Sequence, residues 1–211
     1  MPHSHISVIL DRTGSMQPIR EDVVGGLNAF LAEQQAAPES ASFTLVQFDS
    51  QDPFEVLHAN VDLAGVPPLR MDQYVPRATT PLHDAIGRGI LELEVSLARL
   101  PKEERPQRVI FVIVTDGAEN ASREFNRARV TALIEAKKGL GWDFVFLSAD
   151  LDAFEDAGRM GVDYGSRVAF SKSKRGNDAV WVMTSQKIRE RRSGQADGIV
   201  FSEDERKHAA E

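Results

Sequence analysis

The 211-residue sequence contains no cysteine, and this absence excludes disulfide bonds, thiolate metal ligands and cysteine nucleophiles. Long apolar runs are also missing, since the longest, VIFVIV at residues 109–114, is far too short to cross a bilayer. The first ten residues, MPHSHISVIL, lack the basic and long apolar regions of a signal peptide. We therefore expect a soluble, cytoplasmic chain with no membrane segment.

Acidic residues outnumber basic ones over most of the chain. The formal net charge is −7, although residues 167–192 carry eight Lys or Arg against two acids. An acidic body argues against nucleic acid as a partner and is compatible with binding a cation. We interpret the basic run KIRERR, at residues 187–192, as a solvated helix face rather than as a nucleic-acid patch.

The composition is that of one globular domain with a hydrophobic core. Hydrophobic residues make up 42% of the sequence and charged residues 27%. At this length two full domains would be cramped. We predict one domain over residues 1–192, followed by a polar and flexible tail over residues 193–211.

Strands and helices alternate along the predicted domain. Apolar, β-branched runs predict strands at residues 5–10, 42–49, 108–117, 142–150 and 167–170, and the run at 53–61 is predicted to pair with 42–49 as a hairpin. Helical patterns cover residues 18–35, 82–99, 124–138, 152–160 and 177–192. This order predicts an α/β fold of three layers, in which a doubly wound, mainly parallel central sheet has one antiparallel edge strand and helices on both faces.

Three polar stretches lie where ligands bind in such a sheet, at the carboxyl ends of the strands. They are DRTGS at residues 11–15, TTP at 79–81 and TDG at 115–117. Taken singly, each is typical of a turn or a helix cap. The first and fourth strands are commonly neighbours in this architecture, so Asp11 and Asp116 are expected to face one crevice that the threonine loop can reach. Oxygen ligands of this kind suit Mg²⁺, Mn²⁺ or Ca²⁺ and make zinc a poor candidate.

In their order and spacing, these stretches resemble the metal-ion-dependent adhesion site of the von Willebrand factor type A domain. The chain is most similar to the stand-alone bacterial and phage members of that family. The resemblance implies that Thr13, Ser15 and Thr80 bind a metal directly through their hydroxyls. Asp11 and Asp116 match the aspartates that usually hold the metal through water.

The match, which runs from about residue 5 to residue 165, contains one departure and one ambiguity. The family more often has serine where this chain has Thr13, and threonine keeps the hydroxyl with slightly less rotamer freedom. Thr79 is the alternative to Thr80 as a ligand. We favour Thr80 because the family's threonine directly precedes the residues that open the helix.

The resemblance implies a protein-interaction domain rather than an enzyme. Neutral hydroxyls around the metal would leave most of its positive charge uncancelled, with one coordination position open. An Asp or Glu side chain of another protein could fill that position, so that binding of the partner would depend on the metal.

Two other interpretations stay open. An aspartate after the first strand also begins the pattern of aspartyl phosphohydrolases, but these usually need a second carboxylate two residues later, where this chain has Thr13. They also need a later lysine at a strand end, and Lys137 and Lys138 lie within a predicted helix. In the third interpretation the fold is kept as a metal-free scaffold.

The remaining polar candidates are interpreted as structural. His3 and His5 are expected at a solvated strand start, and His83 on the surface at the beginning of a helix. Asn120 and Ser122 are expected either to cap the next helix or to line the rim of the metal site.

Overall fold

A computed structural model describes residues 3–211, and six strands in it form one sheet. The strands are β1 (Ser4–Asp11), β2 (Ala41–Phe48), β3 (Glu55–Asp62), β4 (Arg108–Thr115), β5 (Trp142–Ser148) and β6 (Arg167–Ala169). Their order across the sheet is β3-β2-β1-β4-β5-β6, with β3 antiparallel to β2 and all other neighbours parallel. The predicted sheet, mainly parallel with one antiparallel edge strand, is confirmed.

Helices cover both faces of this sheet, which confirms the predicted three layers. They are α1 (Arg20–Gln35), α2 (Leu82–Ala98), α3 (Arg127–Lys138), α4 (Leu151–Arg159), α5 (Lys174–Ser193) and α6 (Glu203–Ala210). α1, α5 and α6 pack on one face, and α2, α3 and α4 pack on the other. Within residues 3–211, every helix is too short or too polar to span a bilayer.

The central strands are buried on both faces because alternate side chains enter two separate hydrophobic clusters. In β1, Val8 belongs to the cluster beneath α1 and α5, whereas Ile9 belongs to the cluster beneath α2. Val112 and Ile113 repeat this alternation in β4. Strands covered on both faces are largely apolar, and this is why they stand out in the sequence.

The segment 193–211 differs from the flexible tail expected from its composition. It contains α6, whose first turn is held by a capping box between Ser202 and Glu205. Ile199 and Phe201 are buried and join the cluster beneath α1 and α5. Polar residues surround these apolar side chains in the sequence, so no helical or strand periodicity marks the segment.

Part of the basic segment is used inside the fold. Arg192, the last residue of KIRERR, is buried, and its guanidinium donates to the backbone oxygens of Gln34 and Glu39. Arg191 Nε donates to Asp143 Oδ2 over 2.7 Å. The interpretation as a solvated face is therefore wrong for these two arginines, because both bind groups on neighbouring elements.

Two histidines are buried, contrary to expectation. His5 has no exposed surface, and its Nδ1 lies 2.8 Å from Ser42 Oγ. Burial lowers the pKa of His5 to about 3, and the charge of the nearby His3 acts in the same direction. His83, in the first turn of α2, is also mostly covered and lies beside Glu119. His5 is buried because β1 lies in the middle of the sheet, where even polar residues are covered.

Candidate metal centre

β1 and β4 end side by side, and each end carries a side chain of the predicted site. Leu10 pairs with Val114, so Asp11 at the end of β1 lies next to Thr115 at the end of β4. The Thr115 hydroxyl donates to Asp11 Oδ2 over 2.6 Å. The first and fourth strands are therefore neighbours in the sheet, as expected, and their carboxyl ends meet at one edge.

Asp11 is fully buried and held by groups from three parts of the chain. In addition to the bond from Thr115, its Oδ1 accepts from the Thr13 backbone N–H over 2.7 Å. Its backbone oxygen accepts from the hydroxyl of Tyr74, which is also buried. Desolvation raises the pKa of Asp11 to about 7 in spite of the hydrogen bonds from Thr115 and Thr13, and the charge of Asp116 adds to the rise. A nearby cation would relieve this cost of burying a carboxylate.

The hydroxyls of the first loop point into the site and do not cap a helix. Thr13 precedes the 3₁₀ turn Gly14–Ile19, but its side chain makes no capping hydrogen bond to that turn. Thr13 Oγ1 lies 3.1 Å from Ser15 Oγ. Ser15 Oγ donates to Asp116 Oδ1 over 2.5 Å, which joins the loop after β1 to the loop after β4. The helix-cap interpretation of these residues is thus not what the geometry favours.

The two threonines of the second loop have different surroundings in the structure. Thr80 is buried, and its hydroxyl lies close to Gly117, as the hydroxyl of Ser15 does. A Cβ atom at position 117 would lie 3.4 Å from Ser15 Oγ and 3.5 Å from Thr80 Oγ1, so both hydroxyls approach the same point beside this glycine. The Thr79 hydroxyl instead donates to Ser50 Oγ over 2.8 Å at an exposed position. The geometry favours Thr80 over Thr79 as a site residue.

Residues after the T-D-G stretch hold Thr80 in place, and sequence reasoning did not assign them this role. Asn120 Oδ1 accepts from the Thr80 backbone N–H over 2.8 Å, and the Asn120 N–H donates to the Thr80 oxygen over 3.0 Å. Ser122 Oγ accepts from the backbone N–H of Asp84. The following helix, α3, is capped by Asn126, so neither Asn120 nor Ser122 serves as its cap. Asn120 thus binds the second loop and Ser122 binds the first turn of α2, which fits the alternative, a position at the rim of the site.

The carboxylates of Asp84 and Glu119 connect this rim to α2 through hydrogen bonds. The Asp84 carboxylate accepts the backbone N–H groups of residues 123–125 over 2.7 to 2.9 Å. Glu119 accepts from the backbone N–H of His83 over 2.7 Å and from the Ser122 hydroxyl over 2.6 Å. Carboxylates that accept several N–H groups are strong local anchors.

An ion cluster around the buried carboxylate of Asp49 links the first loop to the second. Arg12 Nε and Arg77 Nε donate to the same oxygen of Asp49, over 2.8 and 2.9 Å. The backbone continues the link, since the Gly14 N–H donates to the oxygen of Ala78 over 3.1 Å. Ala78 has a positive φ of 58°, a conformation that costs energy for a residue with a Cβ. The two loops are thus fixed relative to each other before any ligand binds.

Lys172 is a further site residue that sequence reasoning missed. It follows β6, and its ammonium donates to Asp116 Oδ2 over 2.8 Å and to the Asp116 backbone oxygen over 3.3 Å. Lys137 and Lys138, considered in the sequence, form ion pairs away from this edge, Lys137 with Glu94 and Lys138 with Asp163. Nothing near Lys172 in the sequence marks it, because its contact with Asp116 depends on the order of the strands.

The donor set fits a hard divalent cation held through hydroxyls. Among residues 3–211, no group of three or more His, Cys, Asp or Glu side chains is arranged to hold a metal. The candidate site instead combines neutral hydroxyls with two carboxylates, all of them oxygen donors. Oxygen donors are what Mg²⁺, Mn²⁺ and Ca²⁺ prefer.

No protein-family model and no curated protein matches the sequence, but solved structures match the fold. A von Willebrand factor type A structure from Catenulispora acidiphila aligns with 88% of this chain and 42% of its own, at a TM-score of 0.57 and 12% identity. The chain has a von Willebrand factor type A fold. The same fold aligns with the pilus adhesin SpaC from Lactobacillus rhamnosus GG at a TM-score of 0.72 and 11% identity, over 90% of this chain and 31% of SpaC.

A third structure with this fold contains a metal. Proximal thread matrix protein 1 from the mussel byssus, solved with a zinc-occupied metal-ion-dependent adhesion site, aligns at a TM-score of 0.58 and 14% identity. The alignment covers 89% of this chain and 46% of the matrix protein. This von Willebrand A-like chain spans less than half the length of each of the three solved chains, and the likeness is one of fold.

Proposed function

We propose that this von Willebrand A-like domain binds a divalent cation, Mg²⁺ or a similar ion, and through it another protein. Thr13, Ser15 and Thr80 would be the direct ligands, with Asp11 and Asp116 acting through water. The observation that carries the proposal is the meeting of these hydroxyls with two buried carboxylates at the carboxyl ends of β1 and β4.

The chemistry of the site supports recognition of a carboxylate. Neutral ligands leave the metal electrophilic, so it would attract an Asp or Glu side chain of the partner into its open coordination position. The structure of proximal thread matrix protein 1 with zinc in its adhesion site supports the general idea that this fold can hold a divalent ion. The absence of cysteine is compatible with a domain that works in the reducing cytoplasm.

Calorimetric titration of the wild-type chain with Mg²⁺, Mn²⁺ and Zn²⁺ tests the metal site. The matched pair of variants is Thr80→Ala and Thr79→Ala, because each removes one hydroxyl from the same loop. We expect Thr80→Ala and Ser15→Ala to weaken binding by at least about tenfold, and Thr79→Ala to bind as the wild type does. Loss of affinity in Thr79→Ala but not in Thr80→Ala would show that Thr79, rather than Thr80, is the ligand. A wild-type chain that binds none of the three ions would favour the metal-free scaffold.

Recognition of a carboxylate needs a separate test. Immobilised peptides that carry Asp or Glu at one variable position are compared with peptides that carry Asn or Gln there, in Mg²⁺ and in EDTA. We expect binding only to the acidic peptides and only in Mg²⁺. Binding that survives EDTA would contradict the proposed role of the metal.

The hydrolase interpretation predicts a different outcome in the same preparation. Turnover of a generic phosphoester that is lost in Asp11→Asn would support it. The position where such enzymes carry their second carboxylate is Thr13, and Lys172 binds Asp116 rather than Asp11. The geometry therefore favours the binding function.

A further inference from the structure

We propose that Lys172 is a built-in competitor of the divalent cation. Its ammonium neutralises Asp116 in the metal-free site, and it must move away when the metal binds, so it lowers the affinity of the site for divalent ions. This inference rests on the proposed metal-binding function and deepens it.

Lys172 and Ser15 together engage both carboxylate oxygens of Asp116. Ser15 Oγ donates to Oδ1 over 2.5 Å, and Lys172 Nζ donates to Oδ2 over 2.8 Å. The Asp116 side chain is 0% exposed, whereas the Lys172 side chain is 43% exposed. A buried carboxylate is stable only with a partner, and among residues 3–211 Lys172 is the cation that pairs with it.

The backbone around Lys172 is held, so the side chain is the part that can move. The Ser171 N–H donates to the oxygen of Ala209 in α6 over 2.9 Å. Ser173 caps α5 by accepting from the N–H of Gly176 over 3.1 Å. The half-exposed lysine side chain can rotate into solvent from this fixed position and leave Asp116 to water and metal.

The positive charge of Lys172 determines how strongly the lysine lowers the affinity for a divalent cation. A divalent ion held near Asp116 would lie within several ångströms of the ammonium, and like charges at that distance repel even in the high dielectric of a half-exposed site. The lysine also has to give up its bond to Asp116 before the metal gains the full attraction of that carboxylate. Together these terms predict that removing the lysine charge tightens divalent binding by about tenfold at low ionic strength.

The test compares Lys172→Met with Lys174→Met, a control that removes the same charge two residues away. Lys174 is 75% exposed and pairs with Asp178 over 3.3 Å, on the first turn of α5. The dissociation constant for Mg²⁺ is measured by calorimetry for each variant at low salt and again at 0.5 M NaCl. Lys172→Met is expected to bind about tenfold more tightly than wild type at low salt, with a smaller difference at high salt, and Lys174→Met to stay within about twofold.

Two further measurements keep the result independent of how well one variant folds. Lys172→Arg retains the charge and is expected to bind close to wild type, and Lys172→Gln replaces the Met variant if the latter does not fold. The thermal midpoint in EDTA is expected to fall in Lys172→Met because Asp116 loses its cation, and the upward shift on adding Mg²⁺ is expected to exceed that of wild type.

Each outcome decides between the two proposals. Equal or weaker Mg²⁺ binding by Lys172→Met, or an equal gain in Lys174→Met, would overturn the role of Lys172 while leaving the metal site intact. Absence of Mg²⁺ binding in wild type and all variants would overturn the metal-binding function and this inference with it.

Discussion

Replacement of Asp11 by Asn is expected to change how the stability of the metal-free chain depends on pH. Burial raises the pKa of Asp11 from 3.8 to about 7. Between these two pH values the folded state keeps a proton on Asp11 that the unfolded state releases. The stability from this group is fully present below pH 3.8 and is lost as the pH rises through about 7. One pKa unit corresponds to about 1.4 kcal/mol, so the loss across this window is about 4 kcal/mol.

His5 acts in the opposite direction over much of the same window. Its pKa falls from 6.5 to about 3, so its contribution is present above pH 6.5 and is lost as the pH falls towards 3. By the same conversion it amounts to about 5 kcal/mol. The two groups should nearly cancel in the wild type between about pH 4 and 6.5, and each variant should reveal the effect of the group that remains.

Urea denaturation in EDTA, from pH 4 to pH 8, measures these contributions. Asn retains the shape of Asp11 and can still accept from the Thr13 N–H, so Asp11→Asn removes the titration with little change in packing. Relative to wild type, Asp11→Asn should gain stability as the pH rises from 4 to 7, and His5→Gln should gain stability as the pH falls from 6.5 to 4. Asp152→Asn, at an exposed position in α4, is the control for loss of one carboxylate. Parallel profiles for wild type and Asp11→Asn would refute the reasoning.

Two further predictions concern the packing of segment 193–211 and the loop after β4. Phe201→Ala should lower the free energy of unfolding by about 3–5 kcal/mol because the ring is buried. Val200→Ala, at an exposed position, should change it by no more than about 0.5 kcal/mol. If urea denaturation shows no difference between the two variants, segment 193–211 is not packed on the core. Asp84→Ala leaves the backbone N–H groups of residues 123–125 without their acceptor, so it should cost about 2–4 kcal/mol and speed hydrogen exchange at those amides, and unchanged protection there would contradict the anchoring role.

Much of the fold is readable from the sequence because burial on both faces leaves a local signal. VIFVIV in β4 must be apolar at every position, since Val112 and Ile113 enter different clusters. The alternation of such runs with amphipathic helices predicts the sheet and its layers, and the carboxyl ends of the strands predict where the candidate site lies. Asp11 and Asp116 could be placed at one edge on this basis alone.

The sequence could not predict contacts that depend on how distant elements meet. Whether Thr79 or Thr80 faces Ser15 is decided by the path of a loop bound to Ser50 and Asn120. Phe201 is buried because α6 packs beside α5, and no periodicity in the sequence predicts this packing.

By itself, the sequence determined the order of strands and helices, the class of the sheet and the polar residues at its edge, because each depends on patterns within one segment. The tertiary structure alone decided which hydroxyls converge, that His5 is buried inside the sheet and which lysine reaches Asp116. Those outcomes depend on burial and on distances between residues such as Ser15 and Asp116, which lie 101 positions apart in the chain. Burial and distance arise only when the elements pack together.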